Sequence, residues 1–259
     1  MKIDLHNHTT LCNHAEGSPL QYAEKAYEMG CKFYGFSDHN PMKFDEKYRM
    51  KFEEMSLYKS MIDEVRSQFS GKMEVLFGYE VDFLPGFMDE RVLGAKCDHL
   101  IGSVHFLNGW GFDNPEFIGG YKNKDIDQIW SEYFEAITAL AKCGKFDIVG
   151  HIDLMKVFNF KPKKDMKILA TPALQAIKRA NLVIELNSAG FRKPVGELYP
   201  GDEVLELMAE LEIPITFSSD AHSVEQVGQN MEKTVQKAIE FGYKKAAIFK
   251  NRDREMIEI

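Results

Sequence analysis

The sequence predicts a parallel α/β fold, and between an open doubly wound sheet and a closed barrel it favours the barrel. Short apolar, β-prone stretches alternate with longer amphipathic ones along the whole chain. No Ser/Gly/Pro-rich linker or break in composition divides the 259 residues, which predicts a single domain over 1–259. Histidines and acids recur at the ends of successive predicted strands, and groups drawn from so many strands converge most easily when the sheet closes on itself.

The first predicted strand is Lys2–His8, and a helix follows it. Ser18-Pro19 supplies an N-cap and a proline at the first helical position, and Gly30 closes that helix. Further strands are predicted at Lys32–His39, Met73–Asp82 and His99–Phe106. Between the first two of these, Phe52, Met55, Tyr58 and Met61 read as the core face of a helix. Ile126, Ile129, Trp130, Tyr133, Ile137 and Leu140 hold helical spacing over Ile126–Lys142, with Gly144 as the stop. A strand at Phe146–Asp153 comes next, and Thr171-Pro172 repeats the capping device before Ala173–Ala180. Strands at Leu182–Asn187 and Ile213–Asp220 and helices at Glu203–Leu211 and Glu232–Phe241 complete the alternation. The terminal "AAIFKNRDREMIEI" fits either a last strand or a docking tail.

Composition narrows the class. Hydrophobic and charged contents of 44% and 28% suit a chain that buries a large core. The opening Met-Lys-Ile-Asp has no apolar region of signal-peptide type, and no run approaches the roughly 20 apolar residues of a membrane helix. A net charge of −8 without a long basic cluster argues against binding extended nucleic acid by charge neutralisation, while leaving room for a small anion. The four cysteines are scattered without CxxC spacing, which predicts reduced thiols and a cytoplasmic setting. No interface stripe indicates an oligomeric state.

The eight histidines carry the chemistry. His6 and His8 end the first strand, His39 the second, His105 the fourth and His151 the fifth, and His222 follows the seventh. Glu80 and Asp220 occupy equivalent ends, and His14 lies in the loop after the first strand. Residues two apart on a strand share a side, so His6 and His8 can grip one ion while Ile3 and Leu5 face the outer helices. Imidazoles with carboxylates suit Zn²⁺, Fe²⁺ or Mn²⁺, and a carboxylate can bridge two ions. Cys12 lies among these groups but reads as a bystander. His99 begins the fourth strand, far from the others, and reads as a surface or lower-rim residue.

At this point "DLHNHTTLCNH", "FSDHNP", "GYEVDF", "IGSVHF", "GHIDL" and "FSSDAH" resemble the ordered motifs of the PHP (polymerase and histidinol phosphatase) superfamily. "SVHFLNGWGFDNPEF" and "NSAGFRKPVGELYP" resemble its histidinol-phosphate phosphatase branch, and the likeness runs from Met1 to about Gly228. The resemblance implies a distorted, TIM-like (β/α)7 barrel with three divalent metal ions at the strands' carboxyl ends: zinc, iron or manganese, alone or mixed. It implies one ion on His6, His8, Glu80 and Asp220, a second on Glu80, His105 and His151, and a third on His14, His39 and His222. It further implies a small-molecule phosphate monoester as substrate. L-histidinol phosphate is the leading one, hydrolysed in histidine biosynthesis by metal-activated hydroxide without a covalent enzyme intermediate. Another PHP phosphoesterase acting on a nucleotide or sugar phosphate is the second reading. A polymerase-associated module is disfavoured by length and acidity.

Five positions around this set carry competing readings. Asp38, next to His39 but on the other side of the strand, fits a carboxylate orienting an imidazole, a general acid, or a helix N-cap. Arg192, in the loop after the sixth strand where the resemblance places a phosphate-binding arginine, suits bidentate binding of phosphate in the catalytic centre, with a solvated loop arginine as the alternative. Lys156 is a weaker phosphate candidate, with a surface lysine as the alternative. Tyr199 and Trp110 fit either pocket walls for an imidazole ring or ordinary packing.

Overall fold

The computed structural model describes residues 1–259. In chain order the strands are β1 (Ile3–Asp4), β2 (Phe33–His39), β3 (Glu74–Asp82), β4 (His99–Ser103), β5 (Phe106–Leu107), β6 (Trp110–Gly111), β7 (Ile148–Val149), β8 (Val183–Asn187), β9 (Ile215–Ser218), β10 (Lys245–Lys250) and β11 (Asp253–Glu258). The helices are α1 (Pro19–Glu28), α2 (Met55–Gln68), α3 (Glu90–Leu93), α4 (Ile126–Lys142), α5 (Met166–Ala180), α6 (Asp202–Glu210) and α7 (Met231–Glu240). Seven strands form one parallel sheet in the order β1-β2-β3-β4-β7-β8-β9. The sheet curls until its ends meet. Leu5 N donates to Phe217 O (2.9 Å), Asp220 N to His6 O (2.8 Å) and His8 N to Ala221 O (3.0 Å). This seam makes a nearly closed (β/α)7 barrel and settles the choice left by the alternation pattern.

The strands are shorter than the apolar runs suggest. β1 covers two residues, so His6 and His8 lie in the extended segment beyond it, and β4 and β7 stop before His105 and His151. At this end side chains take over from the ladder: His151 N, for example, donates to Glu185 Oε1 at 2.7 Å. His39 and Glu80 are paired at the end of the β2–β3 ladder, and the other ligand candidates stand just past it, on the rim where parallel strands deliver their carboxyl ends.

Helix starts follow the local chemistry with one correction. At α1, Ser18 and Gln21 form a reciprocal capping box and Pro19 is the first helical residue, as the sequence predicts. At α5 the Thr171-Pro172 start is wrong, because Asp165 caps first. Its carboxylate accepts from Lys167 N (2.7 Å) and Ile168 N (3.3 Å), and Pro172 falls inside the helix. The proline removes one backbone bond to the Ile168 carbonyl, and Ile168 is 72% exposed, so water can serve that group.

The terminal segment is neither a barrel strand nor a loose tail. β10 and β11 make an antiparallel hairpin whose residues Ala246–Phe249 are buried. Its turn docks at the lower end, where Arg252 pairs with Asp147, and Asn251 N reaches Asp98 Oδ1 at 3.1 Å. His99 is not a surface residue. It is completely buried at the start of β4, its Nε2 3.1 Å from Leu5 O and 2.7 Å from Ser37 Oγ. Gly78 leaves room for it, since a Cβ there would stand 2.7 Å from the ring. One hydrophobic core of 68 buried residues runs from Ile3 to Phe249.

Candidate metal centre

Glu80, in register with His39 across β2 and β3, sits at the middle of the rim and divides its two oxygens. Oε2 lies 3.3 Å from His6 Nε2, 3.7 Å from His8 Nε2 and 2.9 Å from His39 Nδ1. Oε1 lies 3.0 Å from His151 Nε2 and 3.4 Å from His105 Nε2. Asp220 Oδ1 completes the first side at 3.1 Å from His8 Nε2 and 3.9 Å from His6 Nε2. Next to it His14, His39 and His222 bring ligand nitrogens within 4.8 Å of one another. All nine residues singled out as ligands thus converge.

The donor set fits metal ions. Ligand atoms about 2.1 Å from a tetrahedral zinc stand roughly 3.4 Å apart, the spacing seen around Glu80. His6 Nε2 is buried and makes no hydrogen bond despite two carboxylates beside it, as a lone pair aimed at a cation would. His105 Nε2 and His151 Nε2 face each other at 3.2 Å.

Outer partners fix the rings. His6 Nδ1 donates to Glu185 Oε2 (2.9 Å), His105 Nδ1 to Asp82 Oδ1 (2.7 Å) and His14 Nδ1 to the Cys12 carbonyl (2.8 Å). His8 Nδ1 faces Asp38 Oδ1 at 3.4 Å. Each contact commits Nδ1 and presents Nε2 to the centre. Burial opposes charge throughout, but the carboxylates win locally. The neighbouring imidazoles hold Glu80 and Asp220 far below the usual carboxylate range. Burial would lower the His105 imidazole, yet Asp82 and Glu80 bring it to about 10, whereas burial prevails at His39 and takes it down to about 4.

A cavity of about 670 Å³ opens onto this centre. Arg192 lines it. Its Nη2 donates to Ser219 O (2.7 Å) and Asp220 O (3.1 Å), while Nη1 is buried without a partner. Tyr199 also lines it, its hydroxyl buried and unpartnered. The other expectations change. Lys156 turns away into a buried clamp, its Nζ 2.8 Å from Asp153 Oδ2 and 2.7 Å from Leu198 O, because a desolvated ammonium needs close anionic and carbonyl partners. Trp110 stays outside the cavity, donating from Nε1 to Phe117 O (3.1 Å), and Phe106 and Phe117 supply the aromatic wall instead. Asp38 caps no helix. Sealed behind His8, it also accepts from Thr9 Oγ1 and, at 2.9 Å, from His39 N. Cys12 lies near His8 and His222, but its thiol donates to Thr9 O (3.1 Å) and burial pushes its pKa up.

Sequence reasoning missed Asp82, Glu185, Arg49 and Asp113. Asp82 was within reach, two residues after Glu80 in "YEVDF" and so on the same side of β3. Glu185 was an acid in the otherwise apolar "LVIEL". Arg49, whose Nη1 is 2.7 Å from Asp82 Oδ2, comes from a loop without a motif.

The PHP domain family matches residues 4–189, and the PHP-associated family matches residues 202–236. The chain belongs to the PHP domain family. Within it the likeness is to histidinol-phosphatases: one from Deinococcus radiodurans, named as a probable histidinol-phosphatase, is 38% identical over 92% of this chain and 93% of its own. A histidinol-phosphatase of Bacillus subtilis is 28% identical over 89% of this chain and 97% of its own. A solved histidinol phosphate phosphatase of Lactococcus lactis, complexed with zinc, L-histidinol and phosphate, shares the fold with a TM-score of 0.81 at 20% identity, over 98% of each chain.

Proposed function

We propose that this chain, acting as one domain, hydrolyses L-histidinol phosphate to L-histidinol and phosphate, as a metal-dependent phosphatase of histidine biosynthesis in the cytoplasm. The observation that carries the reading is the joint placement of Arg192 and the Glu80-centred histidine groups on one cavity of a size suited to a small ester. No helix is long and apolar enough to cross a membrane.

Three ions are expected: one on His6, His8, Glu80 and Asp220, one on Glu80, His105 and His151, and one on His14, His39 and His222. Zinc, iron and manganese all suit these donors. When bound, divalent ions at such sites neutralise phosphoryl charge and lower the pKa of water toward neutrality. The protein's own groups do the positioning. Glu185, Asp38 and Asp82 hold the imidazoles of His6, His8 and His105 with their Nε2 atoms forward. Arg192 is anchored through Nη2 on two backbone carbonyls, which leaves Nη1 to donate to a phosphoryl oxygen. Tyr199 Oη, also unpartnered, is a neutral hydrogen-bonding group on the cavity wall.

A substrate panel tests this. The metal-loaded protein should turn over L-histidinol phosphate with kcat/KM at least tenfold above p-nitrophenyl phosphate. Equal rates would defeat the biosynthetic reading. Arg192→Ala should raise KM at least tenfold with metal content intact, since hydrogen bonds to charged groups are worth about 1.5–3 kcal/mol.

A further inference from the structure

Six carboxylates line the cavity: Asp45, Glu80, Asp82, Asp113, Glu116 and Asp220. Five are committed. Glu80 and Asp220 belong to the histidine groups, Asp82 joins His105 to Arg49, Asp45 pairs with Arg49 at 3.3 Å, and Glu116 pairs with Lys47 at 2.9 Å. Asp113, in the loop after β6, has no side-chain hydrogen bond and no ion pair. The cations that line the cavity are Arg49, already paired with Asp45 and Asp82, and Arg192 and Lys193 from the segment after β8.

A free carboxylate repels a phosphoryl group, so Asp113 cannot serve the anionic end of the substrate. It is suited to a cation at the other end. Burial raises its carboxyl's pKa and it is close enough for the His105 and His151 imidazoles to oppose that rise, but it is not among the atoms grouped with Glu80, His105 and His151. A second observation points to a ligand here. The Tyr199 hydroxyl, on a residue only 1% exposed, lines the same cavity without a partner. Tyr199 is held rigidly: its backbone N and O both bond to Asn187, at 3.2 and 2.7 Å, and the preceding carbonyl is gripped by Lys156. Phe106 and Phe117 add an apolar wall.

We infer that Asp113 is a specificity-determining residue that binds the ammonium group on the alcohol portion of the phosphate ester. This rests on the proposed histidinol-phosphatase function and deepens it. The site would be bipolar, with ions and Arg192 at the phosphoryl end and Asp113 at the amine end. At neutral pH the substrate's imidazole is mostly uncharged, so the ammonium is the cation that a carboxylate selects.

The test compares L-histidinol phosphate with its deamino ester, 3-(imidazol-4-yl)propyl phosphate, in the metal-loaded protein. Wild type should prefer the amino ester. Asp113→Asn should cut that preference in kcat/KM at least tenfold, mainly through KM, and Asp113→Glu should restore a substantial part of it. Elemental analysis should show full metal content in both variants. An unchanged preference in Asp113→Asn would overturn the inference. So would equal losses on both esters, which would mark a proton donor or a structural residue, or loss of an ion, which would mark a ligand. Failure of the underlying reading appears separately, as wild-type protein that does not favour L-histidinol phosphate over p-nitrophenyl phosphate.

Discussion

At the lower end of the barrel, Asp98 accepts from Arg66 (2.7 Å), Phe77 N (2.8 Å) and Asn251 N (3.1 Å), and Asp147 takes Leu100 N (2.8 Å) and Arg252. His99 is sealed in the same region, its Nε2 held by Leu5 O and Ser37 Oγ although its Nδ1 has no partner. At the upper end, the same residue types leave His6 Nε2, Arg192 Nη1 and Tyr199 Oη buried without partners, and Asp113 free at the cavity wall. Buried polar groups left unpaired cost stability, commonly about 1–3 kcal/mol each. One end of the barrel closes its charged groups on one another to hold the fold. The other leaves several polar groups open toward the cavity.

Removing metal probes that contrast most severely. Exhaustive chelation should lower phosphatase activity on the order of a thousandfold and also lower Tm, with both restored by zinc, iron or manganese. Activity and Tm that survive metal-free dialysis would mean the upper end is self-sufficient, like the lower.

Acid should reveal the lower end. Burial brings the His99 imidazole down to about 4 from an ordinary value of 6.5. As pH falls below 6.5 the unfolded chain takes up this proton first, so the contribution of neutral His99 is complete above that value and lost on the way to pH 4. The loss is about 3 kcal/mol. The difference in unfolding free energy between wild type and His99→Gln should narrow by that amount between pH 7 and pH 4. A pH-independent difference would contradict the buried neutral state.

Smaller effects separate orientation from latching. Glu185→Gln should weaken binding of the ion on His6 by roughly 10- to 100-fold in a chelator competition, with little loss of kcat at saturating metal. Arg252→Ala should cost about 1 kcal/mol, because the pair it breaks is partly solvated, and should leave kcat/KM unchanged. An altered kcat/KM in Arg252→Ala would show that the two ends are coupled.

Much of this centre was legible because its signals are local. His6-x-His8 and Glu80-x-Asp82 alternate on extended chain, and a histidine or acid at the end of an apolar run stands out whatever the fold. Lys156 was misread because spacing from His151 says nothing about direction: the side chain entered a clamp built from Asp153 and the carbonyl of Leu198, 42 residues on. Pro172 was misread because a cap seven residues upstream outcompeted a proline signal.

By itself the sequence determined the α/β alternation, the nine converging ligand candidates and the family, since these follow from side-chain periodicity and from the order of residue types along the chain. Tertiary structure decided the rest. Closure of β9 on β1 turned seven strand ends into one rim. Dense packing chose which groups were satisfied, sealing His99, Asp38 and Lys156 into the protein. Arg192, Tyr199 and Asp113 were left facing the cavity, because which polar groups find partners depends on long-range neighbours that no local pattern records.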